Sequence, residues 1–169
     1  MSSTLIVFAG LPATGKTTIA RELARQIGAV YVRIDSIEQA LRDSGALRNS
    51  VDDTGYRVGY SIAEDNLGLG QTVIADSVNP LQLTRDAWLG VADRAGASVI
   101  EVEITCSDPQ LHRLRAETRP AEAAGLRLPT WQEIVARDYD SWARAHLTID
   151  TAGSSVEESV QQLRKALAK

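Results

Sequence analysis

One nonapeptide decides what this chain can fold into. Gly10-Leu11-Pro12-Ala13-Thr14-Gly15-Lys16-Thr17-Thr18 has the spacing G-x-x-x-x-G-K-T. It follows the apolar run Leu5-Ile6-Val7-Phe8-Ala9 and precedes a stretch in which Ile19, Ala20, Leu23, Ala24 and Ile27 recur at helical spacing. The run reads as a buried parallel strand, so the nonapeptide is the turn from that strand into a helix. Glycines at 10 and 15 let the backbone curl until successive N–H groups point inward at an anion. The helix start near Lys16 adds its partial positive charge at the same spot. Gly10, Ala13, Thr14, Gly15, Lys16, Thr17 and Thr18 therefore form a phosphate cradle. The Lys16 ammonium reaches the β- and γ-phosphates and the Thr17 hydroxyl ligates Mg²⁺. The prediction is a bound nucleoside triphosphate.

The 169 residues fit one domain, 1–169, with enough chain for a real core. The net charge of −4 gives no general attraction to nucleic acid or to an anionic membrane, which disfavours a nucleic-acid partner. A single cysteine, Cys106, excludes an intramolecular disulfide, and no Cys/His spacing suggests zinc. Cys106 reads as a small residue ending a strand. The first apolar run lacks a basic leader and ends in the cradle itself, so it is no signal peptide. No run reaches membrane-spanning length. A soluble, cytoplasmic protein is expected; nothing in the sequence bears on its oligomeric state.

Strands and helices alternate along the rest of the chain. Val30 to Ile34 reads as a second strand, and Asp35-Ser36 as the cap of a short helix containing Ile37, Ala40 and Leu41. Residues 43–54 are polar and turn-rich, the pattern of a mobile loop. A helix with Tyr56, Val58, Ile62, Ala63 and Leu67 comes next, and Thr72 to Ala75 is a third strand ending in Asp76. Asn79-Pro80 opens a long helix that Gly96 ends, and Ser98 to Ile104 is a fourth strand. Asp108-Pro109 begins another helix. Thr130-Trp131-Gln132-Glu133 is a capping box, His146 to Ile149 a short fifth strand, and Ser155 with Glu158 caps the last helix. This alternation predicts an α/β fold, a parallel sheet covered on both faces.

Ligands of such sheets bind beyond the carboxyl ends of the strands, where Asp35, Asp76, Cys106 and Asp150 fall. Asp35 is either a base that orients an acceptor hydroxyl and takes its proton, or a plain helix cap. Asp76 is either a Walker B acid holding Mg²⁺, directly or through water, or a turn residue. Asp150 reads as a turn former. Arg115 and Arg119, four apart, share a helix face. They either close over transferring phosphates as part of a lid at about 113–128, or pair with Glu117 and Glu122 on a solvated face. His112 reads as a surface histidine and His146 as a strand-edge residue. Trp88, Trp131 and Trp142 read as packing residues on helices.

Taken together, Gly10 to Thr18, Arg33-Ile34-Asp35-Ser36, Val73 to Ser77, the late arginines and His146 to Gly153 resemble the small P-loop kinases. The similar proteins include the compact AAA-like ATPases and the chloramphenicol phosphotransferase, zeta-toxin and polynucleotide-kinase types. The resemblance implies a three-layer P-loop NTPase fold with a five-stranded parallel sheet. It also implies ATP as donor, Mg²⁺, and a hydroxyl acceptor deprotonated by the aspartate matching Asp35. It implies a lid arginine matching Arg115 or Arg119, and base contacts from Thr151 to Gly153. Two departures narrow the acceptor. Adenylate-kinase relatives carry Asp-Gly-Phe-Pro-Arg where this chain has Asp76-Ser77-Val78-Asn79-Pro80, and the glycine triplet of shikimate kinases is absent. Both acceptors are disfavoured, with Arg48, Arg57 or Arg85 left as substitutes for a phosphate-binding arginine. The extra length, two-acid Walker B and helical lid domain of AAA+ motors are not visible.

Three functions fit these residues. The leading one is a kinase acting on a hydroxyl of a small-molecule or nucleoside-type acceptor. The second takes a polynucleotide 5′-hydroxyl and needs a basic groove. The third is a nucleotide-gated binding module with slow ATPase. The segment from Ile37 to Tyr60 would set specificity.

Overall fold

The computed structural model describes residues 3–45, 53–120 and 127–168. In chain order the elements are β1 Thr4–Ala9, α1 Lys16–Ile27, β2 Val30–Arg33, α2 Ile34–Asp43 and α3 Thr54–Gly68, then β3 Val73–Asp76 and α4 Gln82–Ala95. β4 Ser98–Thr105, α5 Pro109–Thr118, α6 Trp131–Val135, β5 Leu147–Asp150 and α7 Val156–Leu167 complete them. All pairings are parallel and the strand order is β2-β3-β1-β4-β5. The five-stranded parallel sheet is therefore as expected, and β1 stands in its centre.

Alternation along β1 builds the two faces. Ile6 and Phe8 join α1 and α7 in one core, through Ile19, Leu23, Val160 and Leu163. Leu5 and Val7 join α3 and α4 in the other, through Ala63, Leu67, Trp88 and Val91. Gly28 ends α1 in a left-handed cap that closes onto Ala24, as its position predicted. Both capping boxes are present, at Thr130 with Glu133 and at Ser155 with Glu158. No helix of the described residues is long and apolar enough to cross a membrane.

Four local expectations are corrected. β2 stops at Arg33, and α2 starts at once on Ile34, which turns inward to the core. Asp35 and Ser36 thus lie inside the first turn and neither caps it. α4 begins at Gln82 rather than at Asn79-Pro80. Asn79 is buried with φ 48, a left-handed turn that helical backbone excludes. Cys106 lies just beyond β4. Trp142 sits outside any helix, stacked on His146 at 4.1 Å between ring centroids. Part of the loop expected at 43–54 falls at residues 46–52, outside the described residues, as do Arg48 and residues 121–126 of the lid segment.

Candidate active site

The cradle is assembled where β1 feeds α1. Gly10 has φ 141, Ala13 φ 66 and Gly15 φ 96, so three of six residues in this turn lie at positive φ. The Thr14 hydroxyl donates to the Leu11 carbonyl at 3.0 Å, and the Gly10 N–H to Val78 at 3.1 Å, tying the loop to the end of β3. Gly15 occupies the N-cap of α1 and no side chain caps the helix, so its first N–H groups are left for an anion. A Cβ on Gly10 would lie 2.3 Å from the Ile104 carbonyl oxygen, a backbone atom that cannot move aside cheaply. Gly10→Ala is expected to weaken nucleotide binding by at least about a hundredfold and to cost roughly 3 kcal/mol of stability. Titration with a fluorescent nucleotide and a thermal melt would check both. A wild-type affinity would mean that the close approach to Ile104 does not shape the cradle.

Beneath the loop, Lys16 and Asp76 are both almost fully buried, with Nζ 3.8 Å from Oδ1. The other Asp76 oxygen accepts the Tyr31 hydroxyl at 2.6 Å. Burial and the adjacent carboxylate push the Tyr31 phenol well above its usual range, so it remains a donor and fixes the rotamer of Asp76. Nothing in the sequence marks Tyr31, which reads as one more residue of a strand. Thr17 and Asp76 are the hard oxygen donors suited to Mg²⁺, which takes one or two protein oxygens and completes its shell with phosphate and water. Among the described residues no group of three or more His, Cys, Asp or Glu is placed to hold a metal ion by itself. That sparse donor set fits Mg²⁺ held jointly with a nucleotide rather than a protein-only metal cage.

The loop from β5 to α7 closes on the cradle from the other side. The Thr151 hydroxyl is 2.7 Å from the Thr14 carbonyl, and Arg115 donates to it at 2.8 Å and to the Thr151 carbonyl at 3.1 Å. Arg115 is therefore fastened to this loop, not held on a solvated face. Asp150 accepts from Ser107 and from the Ala152 N–H at 3.0 Å; these bonds hold its carboxyl below the usual range and make it the turn former expected. Thr151 and Ser154 line the site, whereas Gly153 between them faces open space. His112 is buried, not on the surface. Its Nε2–H donates to the Pro12 carbonyl at 2.8 Å, and its ring meets Trp131 edge-on. This couples α5 and α6 to the cradle. The sequence carried no cue, because the partner is 100 residues away.

A single cavity of about 620 Å³ runs from the cradle to α2. Lys16, Thr17, Thr18, Arg115 and Arg119 line one end, and Asp35, Glu38, Arg42 and Tyr56 the other. Asp35 is half exposed there, 3.6 Å from the Arg33 guanidinium. Glu38, one turn on, was not singled out from the sequence. Burial and the charge of Asp35 raise its carboxyl above the usual range, against the pull of Arg42 at 3.1 Å. Of the arginines named as phosphate-binding substitutes, Arg57 is exposed and paired with Asp53, and Arg85 is fully buried. Arg85 spends its donors on the carbonyls of Asn79, Pro80 and Ser141, between the rings of Tyr139 and Trp142. It reaches no substrate.

The strand order, the uncapped helix start and the buried lysine beside an aspartate define a P-loop nucleotide-binding fold of the small-kinase type. The chain belongs to the AAA domain family, which matches residues 5–137. It is 32% identical over 174 aligned positions to uncharacterized proteins of Mycobacterium tuberculosis and Mycobacterium bovis; these cover 94% of this chain, which spans 33% of their length. Among solved structures, a protein of Chloroflexus aurantiacus assigned as a kinase superposes with a TM-score of 0.79 at 21% identity, over 98% of both chains. The Mycobacterium tuberculosis APS kinase CysC, in complex with AMPPNP and APS, gives 0.74 at 20% over 99% of both. Kti12 of Chaetomium thermophilum, in complex with ADP-AlF3, gives 0.68 at 20% over 98% of this chain and 100% of that one. These likenesses establish the fold.

Proposed function

We propose that this chain is an ATP-dependent kinase, transferring the γ-phosphoryl group of Mg-ATP to a hydroxyl of a small-molecule or nucleoside-type acceptor in the cytoplasm. The observation that carries this reading is the continuity of the cavity, which joins an anion cradle to a half-exposed carboxylate, Asp35, in one cleft. The AMPPNP held by CysC on the same fold supports an adenine nucleotide at the cradle.

The chemistry then follows from charge and position. The acceptor oxygen forms a bond to the γ-phosphorus as the bond from that phosphorus to the bridging oxygen breaks, and ADP departs. Asp35 orients the acceptor hydroxyl and takes its proton. Lys16, the cradle N–H groups, Arg115 and Arg119 neutralise charge on the phosphoryl oxygens and the leaving group. Thr17 and Asp76 would hold Mg²⁺, which would add further positive charge to that neutralisation.

The test is transfer of labelled γ-phosphate from Mg-ATP into pooled acceptors: sugars, nucleosides, hydroxylated antibiotics, nucleoside monophosphates and a 5′-hydroxyl oligonucleotide. A labelled small-molecule product is expected, reduced about ten- to a hundredfold in the Asp35→Asn protein. Label in the oligonucleotide, falling steeply as salt rises, would favour a polynucleotide kinase instead.

A further inference from the structure

The chain as a whole is acidic, but the end of the cavity away from the cradle is not. Among the described residues, Arg33, Arg42 and Arg137 line it together with two carboxylates, Asp35 and Glu38. The lid adds Arg119 and Arg127 from the other side. Three of these cations already have carboxylates: Arg33 with Asp35, Arg42 with Glu38, and Arg127 with Glu133 at 2.6 Å. Arg137 has none. Among the described residues its guanidinium makes no hydrogen bond and no ion pair, and it stands near enough to Glu38 for its charge to act on that carboxyl. It follows α6, on the side of the cavity that faces α2, and is exposed there.

A guanidinium presents a planar fork of donors that matches the two oxygens of a carboxylate, phosphate or sulfate. A cleft walled by low-dielectric protein concentrates the field of its charges, so an excess of cations there draws anions even in a net-acidic protein. ATP accounts for Lys16 and the arginines beside the cradle. It does not account for Arg42 and Arg137, which stand at the Asp35 end.

Resting on the kinase reading above, we propose that the acceptor carries an oxyanion group besides the hydroxyl that is phosphorylated. Arg137 and Arg42 hold that oxyanion, a carboxylate, phosphate or sulfate. The hydroxyl is thereby delivered to Asp35. A neutral acceptor leaves Arg137 unmatched and gains nothing from the field. Arg137 is thus a determinant of specificity, not a participant in phosphoryl transfer.

The experiment compares matched acceptors that differ only in the anionic group: sugars against sugar acids, sugar phosphates and sugar sulfates, and nucleosides against nucleotides with a free ribose hydroxyl. Initial rates are measured with Mg-ATP for the unaltered protein, Arg137→Ala, Arg137→Lys and Arg42→Ala. Arg94→Ala serves as control, since Arg94 is an exposed arginine on α4 bound to Glu64. The expected result is preference for an anionic acceptor by at least tenfold in kcat/KM. Arg137→Ala is then expected to raise the acceptor KM about tenfold with less than a twofold loss of kcat, and Arg137→Lys to recover part of it. The acids, phosphates and sulfates in the panel separate the sources of the oxyanion. Preference for the neutral member of each pair, or an equal rise in KM for both members in Arg137→Ala, would overturn the inference and leave the kinase reading standing. Label on no hydroxyl in either pool would overturn both.

Discussion

Lys16→Ala is expected to lower single-turnover phosphoryl transfer by about a thousandfold, roughly 4 kcal/mol of transition-state stabilisation. The expectation rests on where the ammonium stands. Lys16 is buried at the mouth of α1, next to an uncapped helix start and 3.8 Å from Asp76. At that separation Lys16 is held in place without spending a short hydrogen bond on the carboxylate, so its donors are available to the phosphates. Phosphoryl transfer passes through a loose transition state in which charge lies mainly on the leaving group and the equatorial oxygens. A cation directed there contributes more than a base acting on the incoming hydroxyl. Lys16→Ala therefore loses more rate than Asp35→Asn. Rapid-quench measurement of single-turnover transfer would rank the two variants; equal losses, or a larger loss in Asp35→Asn, would show that proton abstraction dominates. The same variant leaves Asp76 without its cation, so a thermal melt accompanies the kinetics to show that the fold persists.

Arg85→Ala lowers stability by about 3 to 4 kcal/mol, a fall of roughly 10 °C in the unfolding midpoint. Arg85 has no exposed surface. It donates to the Asn79 and Pro80 carbonyls at 3.1 Å each and lies 4.1 Å from the Trp142 ring centroid and 4.9 Å from that of Tyr139. No described carboxylate forms an ion pair with it, so its charge is compensated chiefly by carbonyl dipoles and ring faces, with the Asp86 carboxylate near enough to feel it. Truncation strands those carbonyls and opens a void between two aromatic rings. Arg85→Lys keeps the charge but not the planar fork, and recovers less than half of the loss. Denaturant unfolding monitored by tryptophan fluorescence reads the loss of stability. A change below about 1 kcal/mol would mean that residues 138–146 hold their place on α4 without this arginine.

Much of the fold was legible because it is written in local patterns. The buried run before Gly10, the alternation of strands and helices, and two capping boxes each report on residues within one turn or one strand of themselves. The site was legible only at the cradle, where backbone conformation and chemistry are encoded in consecutive residues. Elsewhere its geometry comes from distant contacts. His112 reads as a surface residue until the fold brings Pro12 to it. Arg85 reads as a phosphate ligand until Tyr139 and Trp142 enclose it. Tyr31 and Asp76 meet across adjacent strands, 45 residues apart. Asp35 misled in a smaller way. The sequence offered Asp-Ser as a cap, but the inward pull on Ile34 starts the helix two residues early and leaves the carboxylate facing the cavity. Glu38 and Arg137 belong to no motif, and only their place in the cleft identifies them.

The most direct measurement of the central claim is the fate of the γ-phosphate with and without acceptor. Labelled Mg-ATP is incubated with the protein alone and with the acceptor pools, and inorganic phosphate is separated from phosphoester product. Label is expected in a phosphoester that forms only with acceptor, outpaces release of inorganic phosphate, and declines in Asp35→Asn. Release of inorganic phosphate at one slow rate, the same with every pool and with none, would contradict it and mark the chain as a nucleotide-gated binding module.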